Sequence, residues 1–122
     1  MTLKELYANI GGNYDQAVKV MRSEKLIDRY VRKLKDSGVD KSLAQAKEAM
    51  DGQMIFESAH GLKGLAGNLG LINLADAANE ITEEFRPGNP RTLSDEEVQA
   101  KIDDILTMYN TAVEGIRQYE EA

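Results

Sequence analysis

The chain has no cysteine and no tryptophan, and only one histidine and two prolines in 122 residues. Without cysteine there is no disulfide, no thiol nucleophile and no thiolate metal site. A hydrolase apparatus of the Ser-His-Asp or Cys-His kind needs a nucleophile held by a base in a pocket. A lone histidine within a helical pattern makes no such case. Basic excess is missing too: the net charge of −6 argues against a nucleic-acid module, whose footprint is a basic face. No apolar run approaches the roughly 18 residues of a membrane span, and the N-terminus Met1-Thr2-Leu3-Lys4-Glu5-Leu6 has no signal-peptide core. The expectation is a cytoplasmic protein that touches neither membrane nor nucleic acid. Strand-type clusters of β-branched residues are also absent, and both prolines fall in Arg86-Pro87-Gly88-Asn89-Pro90-Arg91. The fold is expected to be all-α.

What is present is helical periodicity, in a chain of one domain's length with enough apolar residues for a core. Thr2 with Glu5 forms a capping box for a short helix to Ile10, which Gly11-Gly12-Asn13 stops. A second short segment runs from Tyr14 to about Met21. Ser23 then caps a helix to about Lys35 with Leu26, Ile27, Tyr30, Val31 and Leu34 at helical spacing. Past Asp36-Ser37-Gly38, Asp40 or Ser42 caps a segment carrying Leu43, Ala46, Ala49 and Met50 on one face. Asp51-Gly52 signals a turn, and the central helix covers Gln53 to Gly67 or slightly beyond. Asn73 caps the next helix, whose expected buried stripe is Leu74, Ala77, Ala78, Ile81 and Phe85. The longest loop spans Pro87 to about Leu93. Ser94-Asp95-Glu96-Glu97 is a capping box with an acidic first turn. It opens a last helix with Val98, Ile102, Ile105, Leu106, Tyr109, Val113 and Ile116 inward. Long amphipathic helices joined by short turns predict an antiparallel four-helix bundle. Its helices are residues 24–50 (interrupted at Ser37-Gly38), 53–67, 73–86 and 94–120. The expected organisation is a single domain over 1–122, with a bundle at 23–120 and extra short N-terminal helices at 1–22 covering one end.

The only histidine lies in Ser58-Ala59-His60-Gly61-Leu62-Lys63-Gly64-Leu65-Ala66-Gly67-Asn68-Leu69-Gly70. At about 100° per residue, Gly64, Gly67 and Leu71 fall within about 40° of His60, and Lys63 and Phe56 flank it. Ile55, Ala59, Leu62, Ala66 and Leu69 gather on the far side. His60 is therefore expected to face solvent, among positions without side chains. Each glycine inside a helix costs about 1 kcal/mol relative to alanine, so two beside one exposed ring imply that something approaches it closely.

Glu57-Ser58-Ala59-His60 has the Glu-x-x-His spacing of di-iron bundles, but those need two inward-facing copies and this chain has one histidine. No metal site is expected. Phosphate-cradling glycine loops need a preceding strand, and none is predicted. The role left for a lone exposed imidazole is nucleophilic, through a covalent phosphoryl intermediate. The added charge of about −2 could be met by Lys63, one turn away. With no nucleotide site of its own, the chain would take its phosphoryl group from another protein. Blander readings stand beside these: Lys63 as a solvated lysine, and Gly64 and Gly67 as close-packing positions. Their placement on the His60 side favours partner access. Phe56, one turn before His60, is expected to be exposed and to serve docking. The acidic residues of the last helix read as a solvated face.

Ala59-His60-Gly61-Leu62-Lys63-Gly64 followed by Leu69-Gly70 resembles the signature of the histidine-containing phosphotransfer (HPt) domain of multistep phosphorelays. The Asp-Gly turn before it and Leu74, Ala78 and Ile81 after it agree. The resemblance covers residues 24–86 closely and the last helix by architecture only. It implies a four-helix bundle that accepts a phosphoryl group on histidine from a receiver-domain aspartate and passes it to another receiver. Carried over, His60 is the phosphoacceptor, Lys63 the phosphate-stabilising residue and Gly64 the clearance residue. Phe56, Gly67, Asn68 and Leu71 are expected to face the partner. The partners implied are receiver domains and a hybrid histidine kinase. The expected molecule is a monomeric, standalone phosphocarrier, not an enzyme and without a cofactor, any metal sitting on the receiver. Two departures bear on partner choice: Gly61, where the family often has a side chain such as threonine, and Thr82 after Ile81, with Glu83 one position later than the family's usual glutamate. The alternatives are a domain cut from a hybrid or chemotaxis-type kinase, and a helical-bundle adaptor whose histidine is incidental.

Overall fold

The computed structural model describes all 122 residues and contains seven helices and no strand. The long helices are α5 (Gly52–Asn68), α6 (Ile72–Phe85) and α7 (Asp95–Glu121), with α3 (Glu24–Asp36) and α4 (Val39–Ala49) end to end as the fourth member of the bundle. α3 and α4 run antiparallel to α7. Tyr119 and Glu120 bond to Asp28 and Arg32, the Tyr109 hydroxyl donates to the Leu34 carbonyl, and Lys47 pairs with Asp103. α7 extends about 40 Å at helical rise, long enough to serve both halves of the molecule. The core is the sum of the apolar stripes: Ile27, Val31 and Leu34; Leu43 and Ala46; Ile55, Ala59, Leu62, Ala66 and Leu69; Leu74, Ala78 and Ile81; Val98, Ile102, Ile105, Tyr109 and Ile116.

Helices as short as α1 (Leu3–Ile10) and α2 (Tyr14–Met21) are marginal alone and need tertiary anchors. The buried Tyr7 hydroxyl donates to the Leu69 carbonyl at 2.7 Å, and the Asn13 amide donates to the Gly70 carbonyl at 2.9 Å. The pair thereby covers the α5–α6 junction. Gly70 takes a left-handed φ of 69°, and a Cβ there would run into the Asn13 carbonyl oxygen. Both capping boxes, Thr2–Glu5 and Ser94–Glu97, form as expected.

Two boundaries and one buried face differ from the expectation. α4 begins at Val39 behind a left-handed Gly38 with no side-chain cap, so neither Asp40 nor Ser42 caps it. α6 begins at Ile72 rather than after Asn73, because Leu71 is the N-cap residue and its carbonyl accepts from Ala75. The buried face of α6 is also rotated. Thr82 and Glu84 are buried, while Ala77 and Phe85 are only half-buried. Thr82 satisfies its hydroxyl on the Ala78 carbonyl at 2.8 Å. Glu84 accepts from the Arg91 guanidinium, the Thr92 amide and hydroxyl, and the Leu93 amide, and so ties down the loop after α6. No helix is long and apolar enough to cross a membrane.

Candidate functional site

The Asp51 side chain accepts from the amides of Gln53 and Met54 and starts α5, so the register of the helix is set before the histidine is reached. Ile55, Ala59, Leu62 and Ala66 are buried, and His60, Gly61, Gly64, Gly67 and Asn68 are exposed. A Cβ built on Gly61, Gly64 or Gly67 would meet nothing within 4 Å. That removes close helix packing as the reason for these glycines. The contrast is with Gly12 and Gly115, where a Cβ would collide with Tyr7 and Leu71 or with Ile10. The bare side of α5 is open space.

Phe56 is half-buried rather than exposed, and its ring stacks on the His60 imidazole with centroids 5.5 Å apart and planes 9° apart. The guanidinium of Arg86 lies over the same phenyl ring, 5.5 Å from its centroid. Arg86 ends α6 because Pro87 disfavours the helical region for the residue before it; Arg86 sits at φ −61°, ψ 130°. Its ion-pair partner is Glu83, one turn back. That guanidinium hydrogen bond holds the Glu83 carboxyl below its usual range; burial opposes the shift, and the charges of Arg86, Lys63 and His60 add to it. Lys63 is half-buried and enters none of the molecule's ion pairs. Lys63 on α5 and Glu83 and Arg86 on α6 are thus charged groups brought to this side of the molecule, with the exposed Glu57 one turn before His60 on α5.

Of the residues expected to face a partner, Gly67 and Asn68 are exposed and Phe56 is in part. Leu71 is not: only 5% of it is exposed, and it belongs to the core. The helical angle that placed it beside His60 does not apply, because α5 ends at Asn68 and the left-handed Gly70 redirects the chain. Arg86 was not anticipated at the site. The signal that finds it is hairpin register: folding the chain back about residue 71 puts 86 opposite 56 and 82–83 opposite 60.

A family model of the Hpt domain matches residues 23–115 of the chain. The chain belongs to the Hpt domain family. The matched span holds the whole bundle except the last turns of α7, while α1 and α2 lie outside it. Neither the curated proteins nor the solved structures return a match. Hpt domains are phosphocarrier modules of two-component signalling that interact with receiver domains and histidine kinases, so membership supports a phosphotransfer role here.

Proposed function

We propose that this Hpt protein is a phosphorelay intermediate that accepts a phosphoryl group on His60 from a receiver-domain aspartate and passes it to a second receiver. The observation that carries the reading is the pairing of the only imidazole with an unobstructed helix face: His60 is exposed, and Gly61, Gly64 and Gly67 beside it meet no neighbour. In the transfer, the unprotonated ring nitrogen forms the N–P bond as the aspartyl O–P bond breaks, and the carboxylate leaves with the electron pair. The other ring nitrogen keeps its hydrogen until solvent takes it. The reverse step returns the group to the next aspartate. Lys63 supplies positive charge to the phosphoryl oxygens, and its lack of an ion-pair partner leaves it free for that task. Gly64 and Gly67 give the receiver clearance along the helix, with Phe56 and Asn68 at the rim of the contact. The divalent metal that assists the transfer belongs to the receiver in this reading, and the Hpt protein brings no cofactor. A monomer in the cytoplasm suffices for the exchange.

The test is to incubate the protein with a phosphorylated receiver and assay acid-labile, alkali-stable phosphate on the chain. Wild type takes up label and His60→Gln takes up none. Equal labelling of both proteins, or none on wild type, sinks the reading and leaves the adaptor alternative.

A further inference from the structure

Charge is unevenly spread along the chain. Residues 19–47 hold nine of the fifteen basic residues and four of the twenty-one acidic ones, so this stretch carries +5 and the remainder −11. We infer that the outer face of α3, with the end of α2, is a docking surface for an acidic patch on a protein partner. His60 and its charged neighbours lie on α5 and α6, so this is a second surface, and it does not depend on the phosphoacceptor reading of His60.

α3 sorts its cations into two rows around the buried stripe of Ile27, Val31 and Leu34. Arg32 and Lys35 turn towards α7 and are neutralised, Arg32 by Asp28 and Glu120, Lys35 by Glu120 and Asp36. The other row, Lys25, Arg29 and Lys33, lies opposite the core stripe at spacings of four. All three are exposed, and none enters an ion pair. Lys19 and Arg22 precede them at the end of α2, equally exposed and unpaired, with the apolar Val20 left 43% exposed between them. Leu26 and Tyr30 are half-buried within the row, and the Lys33 ammonium lies over the Tyr30 ring, 5.3 Å from its centroid.

The fold gains nothing from this row. Lys25, Arg29 and Lys33 are like charges one turn apart and repel one another. Lys25 also occupies the first turn of α3, the end where the helix dipole disfavours a cation. Arg22 takes a left-handed φ of 65° at a helix end where glycine is usual. The dipole at the C-terminal ends of α2 and α3 accounts for Lys19 and Lys33, but not for Lys25 or Arg29. Charges that disfavour their own helix and meet no carboxylate within the chain point to one outside it. The row is convex and spans about 12 Å from Lys25 to Lys33 at helical rise. An extended polyanion, such as a bilayer or a nucleic acid, would face the acidic remainder of the protein as well as the row, and be repelled by it. A carboxylate patch of limited extent meets the row alone. Arg22 and Arg29 can bind carboxylates through bidentate forks, and Val20, Leu26 and Tyr30 supply apolar contact between the charges.

The experiment titrates the isotope-labelled full chain with a short oligoglutamate peptide at low ionic strength and follows the amide resonances by NMR. Shifts gather between residues 19 and 33 and leave those around His60 unmoved. Arg29→Gln combined with Lys33→Gln weakens binding about three- to tenfold, as expected for two surface charges. Added salt weakens wild type more than this variant. The matched control removes two cations from α7: Lys101→Gln combined with Arg117→Gln binds as wild type does. No binding by wild type, shifts spread over every cation of the surface, or equal losses in the two double variants overturn the inference. Vesicles of phosphatidylglycerol and phosphatidylcholine, and duplex DNA, are titrated in parallel at equal anion concentration. Tighter binding to either than to the peptide overturns the assignment to an acidic protein.

Discussion

On one side of α5, Ile55, Ala59, Leu62 and Ala66 are sealed in the core; on the other, Gly61, Gly64 and Gly67 look onto open space around His60. Both sides belong to one 17-residue helix, and they violate opposite rules. The inner side follows every packing preference. The outer side carries three glycines that cost helix stability and gain nothing from any neighbour in return. A helix face that is locally unfavourable and structurally unused is where a function is to be sought, since local rules are broken mainly at functional sites. The same division recurs one helix over. Glu83 faces the site with Arg86, while its neighbour Glu84 is buried and holds the 91–93 loop through four hydrogen bonds.

Substitutions on the two faces should separate stability from transfer. Leu62→Ala on the sealed side should cost about 2–5 kcal/mol in urea unfolding, yet leave phosphoryl uptake per folded molecule unchanged. If uptake falls as well, the two faces are not separable. Gly64→Gln on the open side should slow transfer about 100-fold, the scale of an ångström-sized misplacement of reacting groups, with the far-ultraviolet circular dichroism of a helical protein intact. Unchanged transfer would leave the glycine without its clearance role. On α6, Glu84→Gln should cost about 1–3 kcal/mol and leave transfer alone. Burial by itself would raise the Glu84 carboxyl, but hydrogen bonds from the Leu93 amide, the Thr92 hydroxyl and amide and Arg91 bring it down to about 2. A lowered carboxyl contributes stability that is present above its unfolded value of 4.5 and is lost as pH falls from there towards 2. The variant should therefore have a flatter acid limb in a stability-against-pH curve. The smallest effect sharpens the contrast most. Gly61→Ala should raise stability by about 0.5–1 kcal/mol, since the helix gains and no neighbour is met. A loss of stability would mean that the open face is packed after all.

Much of the site was legible because helical facing is local arithmetic. The stripe from Ile55 to Ala66 is buried and His60 points out, as 100° per residue requires. The Ala59–Gly64 motif and Leu69-Gly70 pointed to the family that the match over residues 23–115 then showed. The same arithmetic misplaced Leu71, since it was carried past the helix end into a left-handed turn. Phe56 reads as exposed on a bare helix, and becomes half-buried once Arg86 covers it. Asn73 has good capping chemistry, but Leu71 must be buried to close the junction, and that packing sets the start of α6. Glu84 looks like a solvated acid in Glu83-Glu84-Phe85, and only the returning loop, seven to nine residues later in the chain, makes it a buried anchor.

By itself, the sequence determined the helices, their inward faces, the outward His60 and the absence of side chains beside it. Each of these depends on residues within a few positions of one another, where backbone geometry leaves little choice. The tertiary structure decided which charges meet that histidine. Glu83 comes within electrostatic range of it, and Arg86 onto the Phe56 ring stacked on it, because α6 folds back along α5, and Leu71 turns inward because α1 and α2 close the end of the hairpin. Such contacts join segments far apart in the chain, and packing rather than periodicity selects them.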